Sequence, residues 1–228
     1  MKKRKTKVQK PIKVMVAIPN QGSIRRELAV LLIDMVTQSV INKKYEIDLR
    51  FSTVTNIDFN RNKIVGMFLK TDCKYLLMID DDNPCLKNPL DLIELKKDII
   101  IYPTFMAKTM DGKPIINYNV FNKQGKKWKS QVMTPGKPLM EYDAGGTGCI
   151  LIKRKVLESL EAPFKSKMNK DGTRDVGSDL WFCERARRKG FKIWAHWDYS
   201  CMHFKDYDLL NIGRMLIETA NRINKNNK

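Results

Sequence analysis

The chain has 228 residues, 43% of them hydrophobic, and a formal net charge of +18. A chain of this size can bury a complete core, and we expect one domain at 14–204, between a basic flexible arm at 1–13 and a C-terminal helix with a polar tail at 205–228. No apolar run is long enough for a membrane span or a secretory signal, which excludes both and predicts a cytoplasmic protein.

The positive charge predicts attraction to polyanions such as nucleic acid or an anionic membrane. Seven of the first thirteen residues are lysine or arginine, so the arm adds to this attraction. The alternative is a lysine-rich composition that keeps the protein soluble. Charge supplies attraction without specificity, and a polyanionic partner is therefore a hypothesis.

Five cysteines are scattered along the chain without a Cys-x-x-Cys pair: Cys73, Cys85, Cys149, Cys183 and Cys201. An odd number without metal-ligand spacing is typical of reduced thiols in a cytosol. We expect most of them to pack as small buried apolar residues.

In the first half of the chain, short apolar runs alternate with amphipathic segments. The pattern predicts strands at 13–18, 45–55, 75–79 and 99–102, and helices at 23–39, 61–70 and 89–96. Ser23 is the expected N-cap of the first helix. The order βαβαβαβ implies an α/β fold with a largely parallel, Rossmann-like sheet and helices on both faces.

The second half has a different pattern. Segments 115–121 and 128–132 predict a hairpin around the turn 122–125, which is a small antiparallel addition to the fold. A helix at 154–160, a mobile loop at 165–174, a helix at 178–189, a strand at 192–196 and a terminal helix at 206–221 follow.

Three carboxylates, Asp80, Asp81 and Asp82, come directly after the apolar run 75–79, and Asn83 and Pro84 then end the strand. In open α/β sheets ligands bind at the carboxyl ends of strands, and hard oxygen ligands suit Mg²⁺ or Mn²⁺ bridging a diphosphate. A solvated turn with capping aspartates is an equally good interpretation of this segment alone.

Four segments, in order, resemble the GT-A fold nucleotide-sugar glycosyltransferases, especially the family 2-like group. The resemblance covers about 14–203. The segments are Val16-Ala-Ile-Pro19, Arg61-Asn62 followed by 74–82, Gly145-Gly-Thr-Gly-Cys-Ile-Leu-Ile152, and 178–193, which runs from Ser178-Asp-Leu-Trp-Phe-Cys-Glu through a basic helix to Gly190.

The resemblance implies a metal-dependent glycosyltransferase that uses a nucleoside-diphosphate sugar, by default a UDP-sugar, with GDP as a competitor. Asp82 is then the first choice of ligand for Mn²⁺ or Mg²⁺, and Asp80 holds the ribose, the metal or a metal-bound water. The other residues expected at the cofactor are Pro19 against the base, Arg61 at the diphosphate, Asp81 in a supporting or capping position, and Gly146 in the glycine strand.

The same resemblance places Asp179 as the general base for the acceptor hydroxyl, which implies inversion. An N-terminal cap is its alternative role, and the helix dipole would favour its charged form. His203 is expected to complete the metal shell, ahead of His196, although a lone histidine is more often structural. An exposed helix arginine is the alternative for Arg61.

The chain departs from the family pattern at two positions. Ser178 replaces the usual glutamate before Asp179, and no aspartate ends the second strand for the uracil edge, since Asp58 comes too late. A nucleotidyltransferase stays an alternative, although 19–26 contains one glycine where a phosphate loop has several. A dehalogenase-like phosphatase would place its acids after the first strand, whereas the acids of this chain follow the third.

The acceptor is not determined by any motif. The charge favours a polyanionic acceptor. One hypothesis is a hydroxylated nucleobase in phage-type DNA, which would have to be extruded from the double helix to reach Asp179. A non-catalytic nucleic-acid-binding protein explains the charge, but it does not explain the acids, the glycine strand and Asp179 together.

Overall fold

The computed structural model describes residues 10–110 and 113–205, together with 213, 214, 216–218, 220 and 221. Strands and helices alternate in the first half, as the periodicity predicts. The elements are β1 Ile12–Asn20, α1 Arg26–Asn42, β2 Tyr45–Thr53, α2 Ile57–Leu69, β3 Tyr75–Ile79, a 3-10 helix Pro89–Leu95, and β4 Ile99–Ile101.

Short strands dominate the second half. They and the helices α3 and α4 are β5 Phe105–Met110, β6 Lys113–Tyr118, β7 Val120–Gln124, β8 Lys127–Ser130, β9 Leu139–Tyr142, β10 Ala144–Gly145, β11 Cys149–Lys153, α3 Arg154–Glu158, β12 Lys167–Met168, β13 Arg174–Val176, α4 Ser178–Arg188 and β14 Ile193–His196, followed by a 3-10 turn at Trp197–Tyr199.

The central sheet has seven strands in the order β2-β1-β3-β11-β4-β14-β9. β1 pairs in parallel with β2 and β3, and β4 pairs in parallel with β14. β11 is antiparallel to both β3 and β4, and β9 is antiparallel to β14. The sheet is therefore mixed and mostly parallel, which confirms the α/β class, but one antiparallel strand lies in its middle.

Both faces of the sheet are covered, because successive side chains of a strand point to opposite sides. From β1, Met15 and Ala17 pack with α2, α3 and α4 residues on one face, while Val14, Val16 and Ile18 pack with α1 and the 3-10 helix on the other. Burying one large apolar side chain stabilises the fold by about 1.5–3 kcal/mol. The sequence correctly predicts a sheet with helices on both faces.

The helix starts differ from the predicted ones. α1 begins at Arg26, its N-cap is Arg25, and that residue makes no side-chain capping bond, so the expected Ser23 cap is wrong. α2 begins at Ile57 instead of 61, because the side chain of Asn56 accepts hydrogen bonds from the backbone N–H groups of Asp58 and Phe59.

The hairpins also differ from the expected one. β6 pairs with β5, and β7 pairs with β8 around the turn 125–126, so the run 115–121 belongs to two hairpins. The break falls at Asn119, whose N–H donates to Thr104 O and whose side-chain oxygen accepts from Thr104 N. Segment 165–174 contains β12 and the start of β13, and its mobility stays a prediction.

Two predicted segments fall largely on residues outside the described ones. They are most of the basic arm, at 1–9, and most of the terminal helix at 206–221, although the described positions within 213–221 are helical. Among the helices of the described residues, none combines the length and the apolar character needed to cross a membrane.

Candidate active site

The three acidic residues lie at the carboxyl end of β3, at the edge where the parallel neighbour β1 also ends. The register pairs Val14 with Tyr75 and Ala17 with Met78, so Pro19 and the acids after Ile79 come to the same edge. β11 begins beside them, since the N–H of Asp80 donates to Gly148 O at 2.6 Å. The glycine segment and the acids are therefore direct neighbours.

Arg61 joins two carboxylates that are far apart in sequence. Its two terminal nitrogens donate to Asp80 Oδ2 and to Asp179 Oδ1, each at 2.8 Å. The arginine side chain is 5% exposed, which excludes the exposed helix arginine as an interpretation. A buried guanidinium is stable only when it is paired, and here the pairing holds α2, β3 and α4 in one place.

The expected contact between Arg61 and a diphosphate does not match this geometry. Both terminal nitrogens already bind carboxylates, and the remaining nitrogen, Nε, is buried without a partner. Arg61 therefore lies between Asp80 and Asp179. Its position is that of a residue that orients Asp80 and Asp179.

The side chain of Asp80 is 20% exposed. Burial raises the pKa of its carboxyl to about 6, although the neighbouring Arg61 guanidinium acts in the opposite direction. Oδ2 binds Arg61, whereas Oδ1 is buried without a hydrogen-bond partner in the protein. An unpartnered buried oxygen is costly, so this atom lowers the stability of the site unless a water or a ligand hydroxyl reaches it.

Asp82 faces His203 and Lys205. Asp82 Oδ2 lies 3.6 Å from His203 Nε2 and accepts a hydrogen bond from Lys205 Nζ. His203 Nδ1 lies 2.6 Å from the carbonyl oxygen of Phe105. Because a carbonyl only accepts, Nδ1 carries the proton, and in the neutral ring Nε2 presents its lone pair toward Asp82.

Asp82 and His203 are both residue types that bind divalent cations. A metal-binding histidine commonly donates its other N–H to a backbone carbonyl, as His203 does. The carboxylate suits Mn²⁺ or Mg²⁺, whereas imidazole is the more usual ligand of zinc, iron, nickel or copper. The ammonium of Lys205 shows that a positive charge is accommodated against Asp82. Asp80, Asp82 and His203 do not converge as one set of ligand atoms, because Asp80 is turned toward Arg61.

Asp179 lies in the first turn of α4, but it does not cap the helix. The N-cap is Gly177, which makes no side-chain capping bond. Asp179 Oδ1 accepts from Thr147 Oγ1 at 2.7 Å in addition to Arg61, while Oδ2 has only a 3.4 Å contact with Thr147 N. The side chain is 36% exposed, and Oδ2, with its one long hydrogen bond, is the less engaged of the two oxygens.

The remaining predicted residues border this centre. Asp81 accepts a backbone hydrogen bond from Gln21, in the loop after β1, and burial raises its pKa. Gly146 N donates to Asn119 O at 2.7 Å, and a Cβ at Gly146 would meet the Asn119 side chain at 2.9 Å. His196, the histidine that ranked behind His203 as a metal ligand, packs its ring edge-on against Tyr199.

Sequence reasoning missed Thr147 and Gly148 as individual site residues. A Cβ at Gly148 would lie 2.2 Å from Asn83 Oδ1 and 3.6 Å from Asp80 Oδ2, so only glycine fits behind the acids. Asn83 is itself buried and donates to Met202 O at 2.9 Å, next to His203. The signal was present in the Gly-Gly-Thr-Gly segment, but which of its residues touches the acids depends on the pairing of β11.

No protein-family model matches the chain, and no curated protein matches its sequence. Solved structures do share its fold. The crystal structure of A197 from STIV superposes with a TM-score of 0.56 at 19% identity, over 86% of this chain and 87% of that one. At this identity the similarity concerns the fold alone.

Two looser matches are apo UDP-glucose pyrophosphorylase and a glycosyltransferase involved in the glycosylation of the major capsid of PBCV-1. The first has a TM-score of 0.43 at 13% identity, over 95% of this chain and 82% of that one. The second has a TM-score of 0.40 at 12% identity, over 90% and 99%. By name one neighbour is a pyrophosphorylase and the other a glycosyltransferase, and overlaps this loose give no conclusion about the activity of this chain.

Proposed function

We propose that the chain is a metal-dependent glycosyltransferase that moves a sugar from a nucleoside-diphosphate sugar, with UDP favoured, to an acceptor hydroxyl. The observation that carries the proposal is the meeting of two pairs of side chains at one sheet edge. Asp82 faces His203 there, and Arg61 connects Asp80 with Asp179. The Asp82–His203 pair agrees with what the GT-A resemblance implies, whereas Arg61 lies between two carboxylates and not where the resemblance puts it, at a diphosphate.

The donor would bind along the ends of β1 and β3. Asp82 and His203 would hold Mn²⁺ or Mg²⁺, which neutralises the charge that develops on the departing diphosphate. Asp80 would hold a ribose hydroxyl or a metal-bound water, and its buried Oδ1, which has no partner in the protein, is the oxygen that binding would have to expose. Pro19 is buried at the end of β1, beside the loop that binds Asp81, and packs there against the base.

The acceptor would bind on the side of α4. Asp179 Oδ2 takes the proton from the acceptor hydroxyl, while Arg61 and Thr147 hold Oδ1 and so orient the carboxylate. A base that acts on the face opposite to the leaving diphosphate leads to inversion at the sugar carbon. Arg61 and Thr147 are positioning residues in this scheme.

A polyanionic acceptor, such as DNA with hydroxylated bases, is the acceptor class that the net charge of +18 supports. Transfer of labelled sugar to such DNA should weaken steeply as salt rises, because bound phosphates release counterions. Activity on a neutral acceptor that does not change with salt, together with no retention on DNA at low salt, would remove this part of the proposal.

The donor is tested by thermal denaturation with UDP, GDP, CDP and their sugar conjugates, each with and without Mn²⁺. A ligand present at a hundred times its Kd stabilises the folded state by about 2.7 kcal/mol. We expect one nucleotide to raise the melting temperature only when Mn²⁺ is present. We expect this effect to disappear in Asp82→Ala.

Asp34→Ala is the matched control, because Asp34 is an exposed carboxylate on α1 that accepts hydrogen bonds from the side chain of Gln38. It should leave the nucleotide effect unchanged. If no nucleotide stabilises the wild-type protein, the donor site at Asp80–Asp82 is wrong. The same assay with UTP, GTP and CTP tests the nucleotidyltransferase alternative, which stabilisation by these triphosphates alone would indicate.

A further inference from the structure

Three cysteine thiols lie close together near the sheet edge that carries Asp82. Cys85 Sγ lies 2.7 Å from Cys201 Sγ and 3.3 Å from Cys149 Sγ, and all three residues are buried. Among the described residues they form the one group of three or more metal-type ligand atoms that lie within 4.8 Å of one another. Their positions at 85, 149 and 201 gave no sign of this cluster.

The backbone places Cys85 directly opposite Cys201. The two residues form an isolated antiparallel bridge, flanked by hydrogen bonds from Leu86 N to Ser200 O at 3.3 Å and from Met202 N to Pro84 O at 3.0 Å. In such a non-hydrogen-bonded pair the Cα atoms are about 4.5 Å apart. A disulfide spans Cα separations of about 4.4–6.8 Å, so the bond needs no rearrangement of the backbone.

The surroundings favour a neutral disulfide over a metal held by three thiolates. The thiols lie in an apolar cluster with Ile79, Leu90 and Tyr102, and apolar surroundings oppose the charge of three thiolates held together. A structural zinc site also needs a fourth ligand. No fourth histidine, cysteine or carboxylate of the described residues joins this group.

We propose that Cys85 and Cys201 form a disulfide bond that ties the turn carrying Asp82 to the segment carrying His203. The oxidant is a low-molecular-weight disulfide, RSSR. One cysteine sulfur attacks it and releases RSH, and the second cysteine displaces another RSH from the mixed disulfide. Two cysteine S–H bonds and one S–S bond are thus exchanged for one S–S bond and two RSH molecules.

The third thiol gives the cross-link an exchange partner. Cys149, the first residue of β11, lies beside Cys85 and not at the bridge. Attack of its sulfur on Cys85 would release Cys201 and leave a Cys85–Cys149 bond. The His203 segment would then be free, while the Asp82 turn would be tied to β11.

The cross-link has a consequence for the metal pair, and this part rests on the proposed function. Asp82 precedes Cys85 by three residues, and His203 follows Cys201 by two. The disulfide therefore restricts the separation of the two ligands before any cation binds. Such preorganisation lowers the cost of binding.

The test is peptide mapping of the full chain after incubation with oxidised glutathione, followed by denaturing alkylation. We expect three alkylated cysteines where the reduced protein has five, and one cross-linked peptide pair that contains Cys85 and Cys201. Cys85→Ser and Cys201→Ser should each abolish that pair, whereas the control Cys73→Ser should keep it. Five alkylated cysteines at every glutathione ratio would overturn the proposal, as would stoichiometric zinc in the purified protein.

A Mn²⁺ titration of the oxidised and reduced proteins separates this inference from the proposed function. We expect binding to be about tenfold weaker after reduction, as for loss of groups that orient metal ligands. If the cross-linked peptides are found but neither form binds Mn²⁺, the disulfide stands and the metal-dependent function fails. Equal Mn²⁺ affinity in both forms would overturn the preorganising effect.

Discussion

Arg61 determines where two carboxylates lie. A guanidinium that is 5% exposed needs negative partners, and it finds them in Asp80 and Asp179, which come from different elements. Its planar fork allows both bonds at 2.8 Å, a geometry that a single ammonium cannot reproduce. One residue on α2 thereby sets the distance between the donor side and the acceptor side of the proposed site.

Replacement of Arg61 by methionine should be strongly destabilising. The change leaves Asp80 and Asp179 close together without a counter-charge, and removing one partner of a buried pair costs about 3–5 kcal/mol. Urea denaturation measures the loss. Arg50→Met is the matched control, since Arg50 is an exposed arginine on β2 paired with Asp48, and it should change stability by no more than about 0.5 kcal/mol. Equal midpoints for the two variants would contradict the role given to Arg61.

Gly148→Ala should damage the site through a direct clash. The added Cβ would lie 2.2 Å from Asn83 Oδ1, and overpacking of a buried position costs about 1–3 kcal/mol. Because Asn83 belongs to the turn of the acids, we also expect weaker nucleotide binding. The two effects are measured by urea denaturation and by the thermal assay with Mn²⁺.

Gly66→Ala is the control for this substitution. Gly66 lies on α2 with nothing within 4 Å of the added Cβ, so alanine should stabilise the helix by about 1 kcal/mol. A Gly148→Ala protein as stable as the wild type, with unchanged nucleotide binding, would show that the contact with Asn83 is relaxed at no cost.

At the scale of elements, α2 carries Arg61 and its start controls where that residue sits. The helix begins at Ile57 because Asn56 accepts from two backbone N–H groups of the first turn, at 2.9 and 3.2 Å. Arg61 consequently lies within the second turn and faces the sheet, where a helix that began at 61 would have placed it in the first turn. The cap and the ion pairs therefore support each other.

Asn56→Ala should lower the free energy of unfolding by about 0.5–2 kcal/mol, the usual effect of losing an N-cap. Asn56→Asp should retain most of the stability, since a carboxylate also caps a helix and interacts favourably with its N-terminus. Urea denaturation of the two variants checks this. Equal losses in both would show that the cap is not what stabilises the start of α2.

At the scale of the whole molecule, the mixed sheet brings distant segments together. β11 lies between β3 and β4, so the glycine segment before it ends against the acids that follow β3. The same placement puts Cys149 beside Cys85 and Cys201. The site and the thiol cluster are both consequences of one antiparallel strand in the middle of a mostly parallel sheet.

The proposed cross-link predicts a stability difference between the oxidised and the reduced protein. Cys85 and Cys201 are separated by 116 positions, and closing so long a loop restricts the unfolded chain. We expect reduction to lower the free energy of unfolding by about 2–4 kcal/mol. Calorimetry with and without a reductant measures this, and the Cys85→Ser protein should not respond to the reductant. A wild-type protein that melts at the same temperature in both conditions would contradict the prediction.

Much of the fold could be predicted from the sequence because the signals are local. An apolar run such as Tyr75–Ile79 has the length of a strand buried on both faces, and the structure has this strand with the same bounds. The boundaries that failed depend on weaker signals: Ser23 is a good cap residue, but the helix starts three residues after it. Several neighbouring residues can begin the helix at a similar free energy, so one polar side chain does not decide where it begins.

The sequence by itself determined the α/β class, the elements of the first half and the position of three acids after a buried strand, since each follows from spacing within a few residues. Only the tertiary structure decided that Arg61 is buried between Asp80 and Asp179, that Gly148 touches Asn83, and that the sulfur atoms of three scattered cysteines lie together. These contacts depend on strand order and register. The hydrophobic periodicity of one segment predicts neither the strand order nor the register, because pairing between distant strands depends on the packing of the whole sheet.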